Sequence, residues 1–217
     1  GSGPTALVGV LTAMLDLPKP IIARVQGHVA GGGNGLVAAC DLAVASSESP
    51  SESWSTMGLV ELVDHIEATH HAYLWVEMPR LSALLDKVVS VHGERHPELA
   101  AINDCYSTIR ADLEPHLTTE EREVFPMIRE LAIAGTASSF HNGSLRDRIS
   151  VMLSEHDTVG DLLRQLRQLT DGYQPPADGC ESYAALFAGL EHLEADTHLH
   201  IHKENNLLVP AVVVVER

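Results

Sequence analysis

The sequence predicts an all-α fold, an antiparallel up-down four-helix bundle preceded by a short N-terminal segment outside the bundle. From Met57 almost to the end, the chain has the composition and periodicity of helices. Breaks at 134–143 and 171–179, together with Pro97, divide this stretch into four helical segments. Consecutive helices with short connections pack as antiparallel neighbours, which predicts the bundle.

The four predicted helices follow one another at residues 58–92, 97–123, 144–169 and 180–206. The first contains Pro79, where a bend is expected because an interior proline removes one backbone hydrogen bond. The second begins near Pro97, since proline is favoured in the first turn of a helix. Phe125 and Pro126 then lead into a further helical stretch. The β-branched run 212–215 is left unassigned.

The composition of the chain changes near residue 46. Residues 4–45 are rich in Ala, Val and Gly, whereas the SSESPSESWST stretch at 46–56 has the composition of a linker. We therefore predict a non-bundle segment, a linker, the bundle and a tail, at 1–46, 47–56, 57–210 and 211–217.

The charge of the chain excludes some classes of function. Its 14 Lys and Arg against 30 Asp and Glu give a formal charge of −16, and such an acidic surface repels nucleic acid. No apolar run approaches the roughly 20 residues of a membrane-spanning helix, so no membrane role is expected. The three cysteines form no C-x-x-C pair, which favours a reducing compartment and a cytoplasmic location.

One histidine–glutamate pattern occurs twice in the helical region. His116 precedes Glu120 by four residues and His200 precedes Glu204 by four, and a proline follows each glutamate by six. On a helix, this spacing places both side chains of a pair on one face. A further histidine comes 45 residues before His116 and 44 before His200, at His71 and His156 respectively.

This repeated pattern predicts a metal site. A single His/Glu pair would be typical of a solvated helix face, but two copies with matching partners favour ligands. Four imidazoles and two carboxylates in a four-helix bundle suit a pair of iron ions. Glu120 and Glu204 are the expected bridging carboxylates. The expected capping ligands are His71, His116, His156 and His200.

The other histidines are less certain ligands. His92 lies 21 residues from His71, or about 31 Å along a continuous helix, yet it is kept as a seventh candidate ligand. Register alone does not decide between His71 and its neighbour His70. The flanking residues of His200, which are His198 and His202, point elsewhere on a helix. Four more histidines are expected to be solvated, namely His65, His96, His141 and His192.

Residues 57–210 resemble the hemerythrin-like di-iron proteins of the repair-of-iron-centres family. The segments LVDHIEATHHAYL, HLTTEEREVFPMI, ISVMLSEHDTVGDLL and HIHKENNLLVP carry the resemblance, in the same order and spacing. It implies an oxo- or hydroxo-bridged pair of iron ions held by the six residues above. The family also tends to have a histidine where His92 stands.

The resemblance implies a role in repairing iron–sulfur clusters damaged by oxidative or nitrosative stress. The chain would act as an iron donor, with damaged or apo iron–sulfur proteins as partners. The alternatives are a di-iron reductase of nitric oxide or peroxide, a sensor that binds O2 or NO, and a metal-free bundle. Whether the chain is an enzyme, and its oligomeric state, are left open.

Residues 6–46 resemble a fragment of the enoyl-CoA hydratase (crotonase) family. The LDLPKPIIARVQGHVAGGGNGLVAACDLAVAS stretch is similar to its strand, glycine-rich turn and helix. The resemblance makes Gly32 an oxyanion donor, but Gly35 stands where a catalytic glutamate is often found. We therefore predict an inactive fragment. Repair-of-iron-centres proteins usually begin with a small helical domain that carries an adjacent Cys-Cys pair, and this sequence has no such pair.

Overall fold

The computed structural model describes residues 22–25, 42–45, 53–134 and 144–215. The chain divides into two compact units, Gly1–Trp54 and Ser55–Arg217. In the first unit, β1 (Ile22–Val25) and β2 (Leu42–Ala45) pair in parallel, with Ile22 opposite Leu42. Gly32 and Gly35 lie outside the described residues, and the predicted domain boundaries stay predictions.

The second unit is helical, as predicted. After a one-turn helix, α1 (Ser53–Thr56), come four long helices, which we number α2 to α5. Three of them contain one π-helical turn between two α-helical parts. The parts of α2 are Leu59–Ile66, Glu67–His71 and Ala72–His92. Those of α3 are Glu98–Thr119, Glu120–Val124 and Phe125–Ala134. The regular helix α4 is Leu145–Leu169. The parts of α5 are Glu181–Lys203, Glu204–Leu208 and Val209–Val215.

The helix ends follow local sequence signals. Ser144 caps α4, because its side-chain oxygen accepts a hydrogen bond of 3.2 Å from the backbone N–H of Arg146. After α4, three consecutive residues from Asp171 to Tyr173 adopt positive φ angles, and the glycine among them, Gly172, has a φ of 66°. Glycine tolerates this left-handed conformation, so the chain can turn before α5 begins.

Two helices continue through a proline. α3 runs through Pro126 into the helical stretch predicted after it and ends at Ala134, and α5 runs beyond its predicted end through Pro210 to Val215. In each case a π turn precedes the proline, with the N–H of Phe125 donating to the carbonyl of Glu120 and that of Val209 to Glu204. We infer that this wider turn accommodates a residue without an N–H, so that the proline does not end the helix.

The four long helices pack as a ring, in which α3 contacts α2 and α4, and α5 contacts α2 and α4. Their buried apolar residues form two clusters. One includes Leu74, Leu81 and Tyr106, and the other includes Ile66, Phe125 and Val212. Among the described helices, none is both long and apolar enough to cross a membrane.

Deleting residues 1–50 should leave the bundle intact. Every buried residue of both apolar clusters lies between residues 62 and 212, so the deletion removes none of them. Far-UV circular dichroism of the deletion variant should match that expected for the four long helices, and its iron content should equal that of the full chain. A loss of helicity would show that the first 50 residues are needed for folding.

Candidate metal centre

Six predicted site residues converge from all four long helices. α2 supplies His71 at the end of its π turn, and α4 supplies His156. The other two helices each supply one His/Glu pair. In each pair the glutamate is the first residue of a π turn. All six side chains are buried, with exposed fractions of 0% to 4%, namely those of His71, His116, Glu120, His156, His200 and Glu204.

The six side chains form two overlapping groups. His71 and His200 make one group with both glutamates, and His116 and His156 make the other with the same two glutamates. Within each group, one ligand atom per residue lies within 4.8 Å of the others. Two cations could therefore be held side by side, with the carboxylates of Glu120 and Glu204 shared between them.

Three of the four imidazoles direct a lone pair inward. The Nδ1–H of His71 donates to Glu121 over 3.0 Å, and that of His116 donates to Glu155 over 2.8 Å. His156 donates in the same way to Asn205, over 2.8 Å. Because these acceptor oxygens cannot donate, the proton lies on Nδ1 and the Nε2 lone pair faces the centre.

Nitrogen atoms of facing imidazoles lie close enough to share a cation. The Nε2 atoms of His71 and His200 are 3.2 Å apart, and those of His116 and His156 are 3.1 Å apart. His116 and His156 both carry the ring proton on Nδ1, so as neutral rings they could not hydrogen-bond across this distance, but a cation between them would bind both lone pairs.

The carboxylates of the site have no hydrogen-bond partners. Imidazole nitrogens lie 3.1 to 3.4 Å from the oxygens of Glu120 and Glu204, yet none of these four oxygens is hydrogen-bonded among the described residues. Burying a carboxylate without a partner is costly, and metal coordination is one of the ways in which proteins meet this cost. The donor set therefore fits a bound cation.

Comparison with known proteins agrees with this geometry. The hemerythrin HHE cation binding domain family matches residues 62–212. The chain belongs to this family. A probable iron-sulfur cluster repair protein of Haemophilus influenzae is 33% identical over 80% of this chain and 74% of its own length. The iron-sulfur cluster repair protein YtfE of Enterobacter is 32% identical over 81% and 76%. ScdA of Staphylococcus haemolyticus is 32% identical over 68% and 64%.

The resemblance of the bundle to iron–sulfur cluster repair proteins is thus confirmed. The N-terminal resemblance is confirmed too, because the enoyl-CoA hydratase/isomerase family matches residues 5–61. That match covers a minor part of the chain and ends at residue 61, directly before the HHE match begins at residue 62. It shows similarity of sequence, and the predicted inactivity of this segment stays a prediction.

The histidines and glutamates of the candidate metal centre also shift one another's pKa values in the metal-free HHE domain. Burial lowers the pKa of His71, but the nearby carboxylate of Glu120, 3.4 Å from its Nε2, outweighs this effect and the pKa is raised. His156 follows the same balance, with Glu204 raising its pKa against burial. Burial raises the pKa of Glu204, but the charge of His200 and the contact with His156 hold it well below its usual range. In the metal-free protein, protons on His71 and His156 thus supply part of the positive charge that a bound cation would supply.

Iron should stabilise the HHE domain more as the pH rises. In the metal-free protein, His71 and His156 contribute stability below about pH 6.5, and this is lost as the pH rises through their raised pKa values. Iron requires both imidazoles unprotonated, so protons compete with it at low pH. The increase in Tm caused by anaerobic ferrous iron should therefore be larger at pH 8 than at pH 6. An increase independent of pH would contradict this assignment.

His92 does not join the site, which corrects its place as a seventh candidate ligand. The α-helical part of α2 continues from Ala72 through Pro79 to His92, so His71 and His92 lie at opposite ends of it. His92 instead directs its Nε2 to the Sγ of Cys180, at 3.1 Å. The predicted separation of about 31 Å, rather than the family tendency, is therefore the better guide here.

His70 is directed away from the two groups by residues that the sequence did not indicate. Its Nδ1 lies 2.9 Å from Asp196, and its Nε2 lies 2.8 Å from the ammonium of Lys203. Lys203 is buried, which lowers its pKa to about 8, and its Nζ also lies 2.7 Å from His65. His65 is thus a half-buried partner of Lys203, not the solvated residue predicted.

The remaining histidines have other partners. His198 is buried beside Glu194, and His202 contacts Asn206, so neither lies in the two groups. His192 is exposed and contacts Tyr73, which agrees with its prediction. His96 contacts Glu98 and Asp178 near the surface, whereas His141 lies outside the described residues.

Proposed function

We propose that the HHE domain binds two iron ions. One would be held by His71 and His200, the other by His116 and His156, with Glu120 and Glu204 bridging both. Three observations support this assignment: the shared carboxylates, the inward Nε2 lone pairs and the four carboxylate oxygens without hydrogen-bond partners. Mixed nitrogen and oxygen ligands of this kind suit iron.

The residues around the ligands would fix the site. Glu121, Glu155 and Asn205 accept the outer N–H groups of three histidines, which fixes the orientation of each ring and makes its Nε2 a better ligand. The aromatic ring of Phe125 packs against His71, with ring centroids 5.3 Å apart. Two imidazoles and two carboxylates per ion leave coordination positions open, and iron so bound supplies exchangeable ligand positions and electron transfer.

We further propose that the chain repairs damaged iron–sulfur clusters by donating iron. The observation that carries this proposal is the likeness to proteins named for iron–sulfur cluster repair. The HHE match at residues 62–212 contains every residue of the site. The iron is then cargo, and its acceptors would be damaged or apo iron–sulfur proteins. A site with open positions can pass an ion to the thiolates that bind such clusters.

An iron-transfer experiment tests this proposal. The protein, loaded with ⁵⁷Fe, is mixed anaerobically with a [4Fe–4S] dehydratase that has lost one iron, in the presence of a thiol reductant. We expect the dehydratase to recover activity and to contain ⁵⁷Fe by Mössbauer spectroscopy. The Glu120→Ala variant should give no recovery, whereas His202→Ala should behave as the parent. Iron that stays on the loaded protein while the dehydratase stays inactive would contradict donation.

The open coordination positions also favour a second candidate, reduction of nitric oxide or peroxide at the same site. The same preparation distinguishes the two functions. With an electron donor, a reductase would consume many molecules of nitric oxide or peroxide per iron while keeping its metal. A sensor of O2 or NO would bind about one molecule per site without consuming it.

A further inference from the structure

A cysteine and a histidine form a pair at the C-terminal end of α2. Cys180 is the N-terminal cap of α5, and His92 is the last residue of α2. The Nε2 of His92 lies 3.1 Å from the Sγ of Cys180. Cys180 is exposed, while the His92 ring is buried at 3% exposure. The sulfur is therefore open to solvent on one side and contacts an ordered imidazole on the other.

The other ring nitrogen of His92 indicates which atom donates the hydrogen bond in this contact. The guanidinium of Arg95 lies 3.3 Å from the Nδ1 of His92. Because a guanidinium only donates hydrogen bonds, Nδ1 is the acceptor and the proton of the neutral ring lies on Nε2. His92 thus directs an N–H towards the sulfur. The ring of Tyr183 packs edge-on against the imidazole, with centroids 5.4 Å apart, and helps to hold this orientation.

The position of Cys180 at a helix start affects its electrostatic environment. Its φ of −80° and ψ of 172° are those of a cap, although its side chain accepts no capping hydrogen bond and the N–H of Tyr183 donates to the carbonyl of Cys180 over 2.9 Å. The N–H of Tyr183, and then that of Ser182, lower the pKa of the Cys180 thiol. The start of a 23-residue helical segment also carries partial positive charge, which favours an anionic sulfur.

Charged groups around the pair come from α2, the connection between α2 and α3, the start of α3, the connection before α5 and α5 itself. Lys87 on α2 donates to the side chain of Ser182 over 3.0 Å. Arg95 also pairs with Asp178 over 3.2 Å. The ionisable groups of these segments include Lys87, His92, Glu94, Arg95, His96, Glu98, Asp178, Glu181 and Tyr183. Of these, the imidazole of His92 is the group that contacts the sulfur.

We propose that Cys180 is a nucleophilic thiol that exchanges with low-molecular-weight disulfides, and that His92 is its positioning residue. The thiolate sulfur attacks one sulfur of the disulfide and forms a new S–S bond. The old S–S bond breaks, its other sulfur leaves as a thiolate, and the thiol proton passes to solvent. The product is a reversible mixed disulfide at Cys180. This inference does not depend on the proposed iron chemistry.

Cys105 provides a control within the same fold. It is buried on α3, its Sγ donates to the carbonyl of Leu162, and burial raises its pKa. The third cysteine, Cys40, lies outside the described residues, so the experiments use a Cys40→Ser background. In this background, one exposed and one buried thiol can be compared directly.

The first experiment measures reaction with the aromatic disulfide DTNB from pH 6 to pH 9, by stopped-flow absorbance. One thiol per folded chain should react quickly, and Cys180→Ser should abolish this phase. At pH 6 the rate should exceed that of a free peptide of residues 177–185 by at least about threefold. A larger fraction of Cys180 is thiolate in the folded chain, and this outweighs the lower nucleophilicity of a thiolate with a lower pKa. The midpoint of the rate–pH profile should lie below that of the peptide. A profile equal to that of the peptide would overturn the proposal.

The role of His92 is tested by two substitutions. His92→Phe should move the midpoint of the profile upward, towards that of the peptide, because the donor to sulfur is lost. His92→Gln keeps an N–H donor and should restore part of the difference. Helicity and iron content, measured in parallel, show whether each variant is folded. An unchanged profile in folded His92→Phe would overturn the positioning role.

Reaction with oxidised glutathione tests the disulfide exchange itself. Peptide mapping by mass spectrometry should find one glutathione on the peptide that contains Cys180, removable by reductant. Modification of Cys105 instead, or of neither cysteine, would contradict the proposal.

Discussion

Replacing Glu120 with alanine should remove both iron ions from the HHE domain, and Glu204→Ala should do the same. Each carboxylate belongs to both groups of the site, so one substitution takes a ligand from each ion. Loss of one outer hydrogen-bond partner typically lowers metal affinity about 10- to 100-fold, and loss of a bridging ligand should cost more. Iron per chain after gel filtration, measured by elemental analysis, should fall close to zero.

The matched control for this prediction is His202→Ala. His202 is two residues from each of His200 and Glu204 but makes its contacts with Asn206, outside both groups. Its removal should leave iron content near that of the parent. His198→Ala should also keep the iron, although this residue is buried and its loss affects packing beside Glu194. Equal loss of iron in Glu120→Ala and His202→Ala would refute the assignment of the bridge.

Single histidine substitutions should separate the two ions. His156 belongs to one group and His200 to the other, whereas both glutamates are common to the two. We therefore expect His156→Ala to lose the ion beside His116 and to keep the ion beside His71. His200→Ala should show the reverse. Each variant should hold about one iron per chain, with a Mössbauer signal that lacks the magnetic coupling of a pair.

A substitution outside the ligand set completes this test. Glu155→Gln weakens the hydrogen bond that orients His116 without removing a ligand. It should lower the affinity of the same ion by about tenfold and leave the stoichiometry unchanged at high iron concentration. Loss of both ions from His156→Ala would show that the pair binds only as a unit, and it would contradict two separable groups.

The sequence predicted the bundle and grouped the six candidate ligands for the same reason. A His-x-x-x-Glu pair is local, because four residues on a helix always place two side chains on one face. The pair occurs twice, each time with a further histidine at a matching distance before it, His71 or His156. This repeat indicates that the two halves of the bundle contribute equivalent residues to one site. In the structure, these residues converge from all four helices and are buried together. No long-range information was needed beyond short connections and antiparallel order.

What the sequence did not predict depends on contacts between distant segments. His70 and His71 are adjacent, and the structure distinguishes them only because Asp196 and Lys203 on α5 contact His70. No periodic pattern in the sequence predicts that a lysine will be buried between two histidines. The contact of His65 with Lys203 was missed for the same reason.

The π turns were also missed, although part of their signal was visible. Pro126 and Pro210 each follow a site glutamate by six residues, which places the proline directly after the residue that closes the π turn. Read alone, such a proline indicates the end of a helix. The π turn that contains His71 has no proline after it, so only the structure reveals it.

The most direct test of the proposed di-iron site is the number of iron ions bound after anaerobic loading with ferrous salt, measured together with the visible spectrum after exposure to air. We predict about two irons per chain and a charge-transfer absorption that bleaches on reduction. A protein that is folded by circular dichroism yet binds no iron, or only one, would contradict two ions bridged by Glu120 and Glu204.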